Sequence, residues 1–144
     1  METMRLPIKA LTADPRCPKL LVVDDDNQYR ALVVKVLESA GLQVGQAGDG
    51  LKALQVYSQG SREDSGYDLV LLDLGLPLMN GRECLRKLIE MDQAAKVMII
   101  SGSDPFDELP QETRALASGF LQKPFSLKDL LAKVGHLLEL ELAF

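Results

Sequence analysis

Five short apolar runs separated by amphipathic stretches constrain this chain more than any other feature. Leu20–Val23, Gln43–Ala47, Leu69–Leu72, Val97–Ile100 and Phe120–Gln122 read as strands. Between the first two, Tyr29, Leu32, Val33, Val36, Leu37 and Ala40 recur at the spacing of one helix face, and Gly41 stands at the expected stop. Further helices are expected over about 50–59, 82–91 and 127–139. Ser126 followed by Asp129 marks the start of the last one, ahead of Leu130, Leu131, Val134 and Leu138. The segment from Asp104 to Ser118 should hold another helix. Pro105 suits its start, but Pro110 would cost an interior hydrogen bond, so that helix is expected to be short, shifted or mobile.

Alternating strands and helices imply a parallel sheet. Strands this apolar need helices over both faces, so the fold class is α/β: a doubly wound, flavodoxin-like (βα)5 sheet of five parallel strands. The order expected is 2-1-3-4-5, with the second strand at an edge.

At 144 residues and 47% apolar content, the chain is about the size of one domain. The first 18 residues are interrupted by Pro7, Pro15 and Pro18 and read as a tail or linker. The domain is expected over 19–139, with 140–144 extending the last helix. No apolar run approaches the roughly 20 residues needed to span a bilayer, and no export signal precedes the domain, so a cytoplasmic location without membrane contact is expected. Cys17 and Cys84 have neither a disulfide framework nor metal-ligand spacing and should be free thiols. A net charge of −5 argues against direct nucleic-acid binding, which depends on clustered basic residues.

In a doubly wound sheet the site lies beyond the carboxyl ends of the strands. Asp24, Asp25 and Asp26 follow the first strand, Asp73 the third, Ser101 the fourth and Lys123 the fifth. An aspartate at a strand end is most often a turn former or helix cap, and either Asp26 or Asn27 is expected to cap the first helix. Asp24, Asp25 and Asp73 converging in one pocket would repel one another unless a cation sat among them. An oxygen-only ligand set suits Mg²⁺, with Mn²⁺ as a substitute. Lys123 and Ser101 supply a positive charge and a hydroxyl for a transferring phosphoryl group, with Asp73 as the nucleophile. Pro124, between strand and helix, is a candidate for a cis bond that aims Lys123 inward. His136, on the last helix, is assigned no role.

Taken together, Leu21–Asp26, Leu71–Pro77 with Met79-Asn80-Gly81, Ile99–Gly102 and Lys123-Pro124-Phe125 look like the receiver domains of two-component response regulators in content, order and spacing. The resemblance covers about 19–139. It implies phosphorylation at Asp73 by a sensor histidine kinase or phosphotransfer protein. It further implies Mg²⁺ held by Asp25, Asp73 and the Gly75 backbone carbonyl, with Asp24 acting through water. Ser101 and Lys123 would contact the phosphoryl group, and Phe120 would be the aromatic that rearranges with Ser101. Such a domain is a switch, not an enzyme in the usual sense, since it catalyses only its own phosphorylation and dephosphorylation. Its output would pass to a partner protein or to a second copy of the chain. The Lys123–Leu127 passage and the Pro-rich tail resemble the receiver of a hybrid sensor histidine kinase.

Some positions depart from that family's pattern. Gly75 lies two residues after the phosphoacceptor, where a larger side chain is common, so attacking water is less hindered. Asn80 replaces a more usual Asp and preserves turn chemistry. Three other classes fit the sequence less well. An FMN protein would need a Ser/Thr/Gly-rich phosphate loop where this chain has three aspartates. A haloacid-dehalogenase-like phosphatase would need a second Asp at Gly75. A docking module that is never phosphorylated has no need of the complete acid set.

Overall fold

A computed structural model of the chain describes residues 17–61, 66–76, 78–102 and 105–142. Most of the expected tail, together with Pro77, Asp104, Ala143 and Phe144, lies outside the described residues. The strands are β1 (Lys19–Val23), β2 (Gln43–Ala47), β3 (Leu69–Asp73), β4 (Val97–Ser101) and β5 (Gly119–Gln122). They alternate with α1 (Asn27–Ser39), α2 (Gly50–Ser61), α3 (Gly81–Met91), α4 (Gln111–Leu116) and α5 (Leu127–Leu138), and a 3-10 turn at Phe106–Glu108 precedes α4. Every pairing is parallel and the strand order is β2-β1-β3-β4-β5, as expected.

The two-residue period of a strand explains why both faces are covered. Leu21 and Val23 of β1, Val70 and Leu72 of β3, and Val97 and Ile99 of β4 enter one core, which α2 and α3 close with Ala53, Tyr57, Cys84, Leu85 and Leu88. Leu20, Val22, Leu69, Leu71, Met98 and Ile100 enter the other, closed by Val33, Val36 and Leu37 of α1 and Leu130, Leu131 and Val134 of α5. Each such side chain contributes about 1.5–3 kcal/mol when fully buried, far more than helix or strand propensity. The edge strands β2 and β5 are only partly covered, and their sequences are correspondingly less apolar.

Local signals set the element ends. Asp26 caps α1, accepting from the amides of Gln28 and Tyr29 at 3.0 Å each. The helix stops in a Schellman turn: Gly41 takes φ 97°, its amide reaches Glu38 O at 3.0 Å, and the Leu42 amide reaches Leu37 O at 3.2 Å. Asn80 caps α3 through the Glu83 amide at 2.9 Å, and Ser126 caps α5 through the Asp129 amide at 2.9 Å.

Four details differ from the expectations. The buried arc of α1 includes Val34 and leaves Leu32 46% exposed, because Leu32 lies just outside the arc centred on Val33, Val36 and Leu37. Pro110 does not interrupt a helix. It stands immediately before the six-residue α4, where its missing amide costs nothing, and Pro105 instead precedes the 3-10 turn. β3 and β4 run one residue further than their apolar runs, because Asp73 pairs with Ile100 and Ser101 with Gln122. Finally, 140–142 do not extend α5. Glu139 adopts the left-handed conformation (φ 58°), the Leu140 amide returns to Gly135 O at 2.8 Å, and Leu140 and Leu142 pack back onto the core. Packing two partly buried leucines offsets the cost of one left-handed residue.

Candidate functional site

The carboxyl ends of β1, β3, β4 and β5 meet, and the polar residues there are unusually buried. Asp24, Asp73 and Ser101 are 4%, 8% and 3% exposed. Asp25, next along the chain, is exposed. Ligand oxygens of Asp24, Asp25 and Asp73 lie within 4.8 Å of one another. Lys123, the first residue after β5, reaches in to place its Nζ 3.1 Å from Asp73 Oδ2 and 3.4 Å from Asp24 Oδ2. Backbone amides complete the cradle: Asp26 donates to Asp24 Oδ1 at 2.9 Å and Gly75 to Asp73 Oδ1 at 2.9 Å.

Electrostatics follow from this crowding. Burial raises the Asp24 pKa; the Asp26 amide and Lys123 pull it down, Asp73 pushes it up, and the net shift is upward. For Lys123 burial lowers the pKa, but the hydrogen bond and charge of Asp73, with the charge of Asp24, outweigh burial and raise it. Three carboxylates against one ammonium leave two negative charges. That excess, carried by oxygen donors with no His or Cys among them, fits a hard divalent cation such as Mg²⁺.

Two glycines near the acceptor loop play unlike parts. Gly81, the first residue of α3, donates to Leu74 O at 3.1 Å, and a Cβ there would strike Leu74 Cα and stand 2.8 Å from Asp73 O. Only glycine lets α3 approach so closely. Gly75 is different: a Cβ would meet only Asp73 Oδ1, at 3.5 Å, so the space above the acceptor is open by composition rather than by steric need.

Of the residues singled out in the sequence, Asp73, Gly75, Ser101 and Lys123 line one cavity of about 450 Å³. Pro124 follows Lys123 through a cis peptide bond. Phe120 does not line the cavity; it pairs with Ile99, two register steps behind Ser101, and is half-buried with its ring 5.0 Å from that of Phe106. Four neighbours were not anticipated as site residues. Arg82 lines the same cavity from the first turn of α3, where a cation opposes the helix dipole, and that unfavourable placement was a usable signal. Arg30 donates to the Asp24 carbonyl at 2.6 Å, to Asn27 Oδ1 at 2.8 Å and to Gln46 Oε1 at 3.1 Å, tying the acidic loop to β2. Tyr29, read only as part of an apolar face, stands with its ring centroid 4.8 Å from Lys123 Nζ. Phe106 gave no signal, because its contact with Phe120 depends on the path of the chain after β4.

Known proteins resemble this chain in sequence and in fold. Residues 20–135 match the family model described as the response regulator receiver domain. The transcriptional regulatory protein PrrA of Mycobacterium tuberculosis is 33% identical over 121 residues, 84% of this chain and 50% of PrrA, so the match spans about half of that relative. The sensor kinase CckA of Brucella abortus is 35% identical over 83% of this chain and 12% of its own length. Among solved structures, a CheX-CheY-BeF3-Mg²⁺ complex from Borrelia burgdorferi superposes with a TM-score of 0.77 at 27% identity, covering 84% of this chain and 89% of that one. Among the described residues no helix is long and apolar enough to cross a membrane.

Proposed function

Because the chain belongs to the response regulator receiver domain family, we propose that it is a phosphorylation-dependent switch that takes a phosphoryl group from a phosphohistidine onto Asp73. The observation that carries this reading is the buried Asp73 carboxylate, 8% exposed, held 3.1 Å from Lys123 beside two further aspartates. In the transfer an Asp73 oxygen attacks phosphorus, the P–N bond to the donor imidazole breaks, and an acyl phosphate forms. Lys123 and the Ser101 hydroxyl take the developing charge on the phosphoryl oxygens. Asp25, Asp73 and the Gly75 carbonyl would hold Mg²⁺, with Asp24 acting through water, and the ion supplies charge neutralisation when bound. The two negative charges left over in the cluster support that assignment.

The donor is a sensor histidine kinase or a phosphotransfer protein, and the setting is cytoplasmic. Catalysis is confined to the domain's own phosphorylation and its reversal. PrrA and CckA carry a region like this one in a transcriptional regulator and in a sensor kinase, so the output belongs to whatever partner or second copy reads the modified domain. The switch runs from Asp73 through Ser101 to Phe120: the modified acceptor draws the hydroxyl inward, and Phe120, an aromatic without a polar atom, moves without leaving one unsatisfied.

The test is labelling by acetyl phosphate with Mg²⁺, read by intact mass. Wild type gains one phosphoryl group and Asp73→Asn gains none. Labelling that persists in Asp73→Asn removes Asp73 as the acceptor.

A further inference from the structure

Lys123 has to do its work from the end of a long side chain, and only part of what holds it is carboxylate. The stem has four rotatable bonds, so confining the ammonium costs rotamer entropy that its contacts must exceed. Two N–H groups are accounted for by Asp73 Oδ2 and Asp24 Oδ2 at 3.1 and 3.4 Å. A further neighbour is a ring face: Nζ lies 4.8 Å from the Tyr29 centroid, inside the range where the ring quadrupole attracts a cation.

The ring is itself fixed. The Tyr29 amide is bound by the Asp26 cap at 3.0 Å, which sets where the first turn of α1 points. The ring then meets the Phe125 ring edge-on, with centroids 6.0 Å apart and planes at 71°. Phe125 comes two residues after Lys123, so one short loop supplies both the cation and the support for the ring beneath it. Asp26, Tyr29, Lys123, Pro124 and Phe125 line a common groove beside the acceptor cavity.

We propose that Tyr29 is a positioning residue of the phosphoryl site: its ring carries the Lys123 ammonium and holds it towards Asp73 before and after modification. The proposal rests on the reading of Asp73 as phosphoacceptor. Phosphorylation replaces the oxygen that Lys123 contacts with one further from the β3 backbone, so the ammonium has to travel. A carboxylate hydrogen bond is lost over such a movement, whereas attraction to a ring face changes little as a cation slides across it. Tyr29 therefore keeps Lys123 beside the acceptor at the step where its anionic partner changes.

The test compares labelling rates with acetyl phosphate and Mg²⁺, a donor with no protein surface to dock. Tyr29→Phe, which keeps the ring, should label at close to the wild-type rate, and Tyr29→Leu should be about three- to tenfold slower. Tyr29→Met repeats the comparison with a flexible, ringless side chain should the leucine variant fold poorly. In a Lys123→Met background Tyr29→Leu should have no further effect. Without any donor, the Lys123 ε-methylene protons should show an upfield ring-current shift in wild type and Tyr29→Phe that disappears in Tyr29→Leu. Equal labelling rates for wild type and both ringless variants, or the same loss from Tyr29→Leu with Lys123 absent, would overturn the proposal. If wild type itself takes no label on Asp73, the phosphoacceptor reading fails, and the ring-current shift alone still decides whether Tyr29 holds the lysine.

Discussion

A single missing side chain decides how closely α3 can approach the acceptor loop. Gly81 lies against Asp73 and Leu74 through backbone atoms, which cannot rotate away as a flexible side chain can. Gly81→Ala should therefore cost about 3 kcal/mol, the upper range for overpacking, and displace the loop that carries Asp73. Chemical denaturation of the variant reads the loss; a change under 1 kcal/mol would mean the loop relaxes freely. Cys84, on the same helix, gives a pH signature. Burial, with the charges of Asp49 and Glu83, pushes its thiol up to about 11 from 9.0. Above pH 9 the unfolded chain releases this proton while the folded chain keeps it, so the folded state binds more protons and stability falls as pH rises towards 11. The decline has a limit of about 1.4 kcal/mol per pH unit. Burial and the hydrogen bond to Asp92 also raise the Tyr57 hydroxyl, so the comparison belongs below pH 10. Cys84→Ala should lose stability less steeply than wild type between pH 9 and 10, and parallel curves would show that the thiol does not titrate as described.

Among the elements, helix ends carried the most readable signals and also the largest surprise. Gly41 was legible as a stop because its left-handed conformation is one that glycine adopts without strain. The end of α5 uses the same hydrogen-bond pattern with Glu139 in the left-handed position, and nothing in the local sequence announces it. Glu139→Gly should relieve that strain and stabilise the domain by about 0.5–1 kcal/mol after allowing for the greater freedom of glycine when unfolded. A midpoint that falls in urea would show instead that the side chain contributes contacts worth more than the strain. α4 teaches the opposite lesson. Its prolines pointed to a helix that is short, shifted or mobile, and it is six residues long, but which proline began it depended on the 3-10 turn and on Phe106 reaching Phe120.

At the scale of the whole molecule, four strand ends bring three carboxylates and one lysine together, and the excess negative charge opposes folding until a cation neutralises it. Mg²⁺ should raise stability by mass action, by about 2.7 kcal/mol at one hundred times its dissociation constant. Thermal melts with and without Mg²⁺ read this, and chelation should reverse it. Asp25→Ala should abolish the response, because it removes a proposed ligand, and as the exposed member of the cluster Asp25 contributes little to packing. A variant that still responds like wild type would place the ion elsewhere.

The sequence alone determined the layered α/β fold, the parallel order of its strands and the convergence of Asp24, Asp25, Asp73, Ser101 and Lys123. Each follows from a short-range rule: apolar period sets the element type, crossover connections make the sheet parallel, and strand ends of a parallel sheet face one way. Only the tertiary structure decided that Arg30 grips the Asp24 carbonyl, that Arg82 lines the acceptor cavity, that Tyr29 lies under Lys123 and that Phe106 meets Phe120. Tyr29 lies in the first helix and Lys123 after the last strand, far apart in the chain. Contacts of that kind depend on where two elements come to rest and on the rotamers that packing leaves open, and neither is encoded in the spacing of residues along one strand or helix.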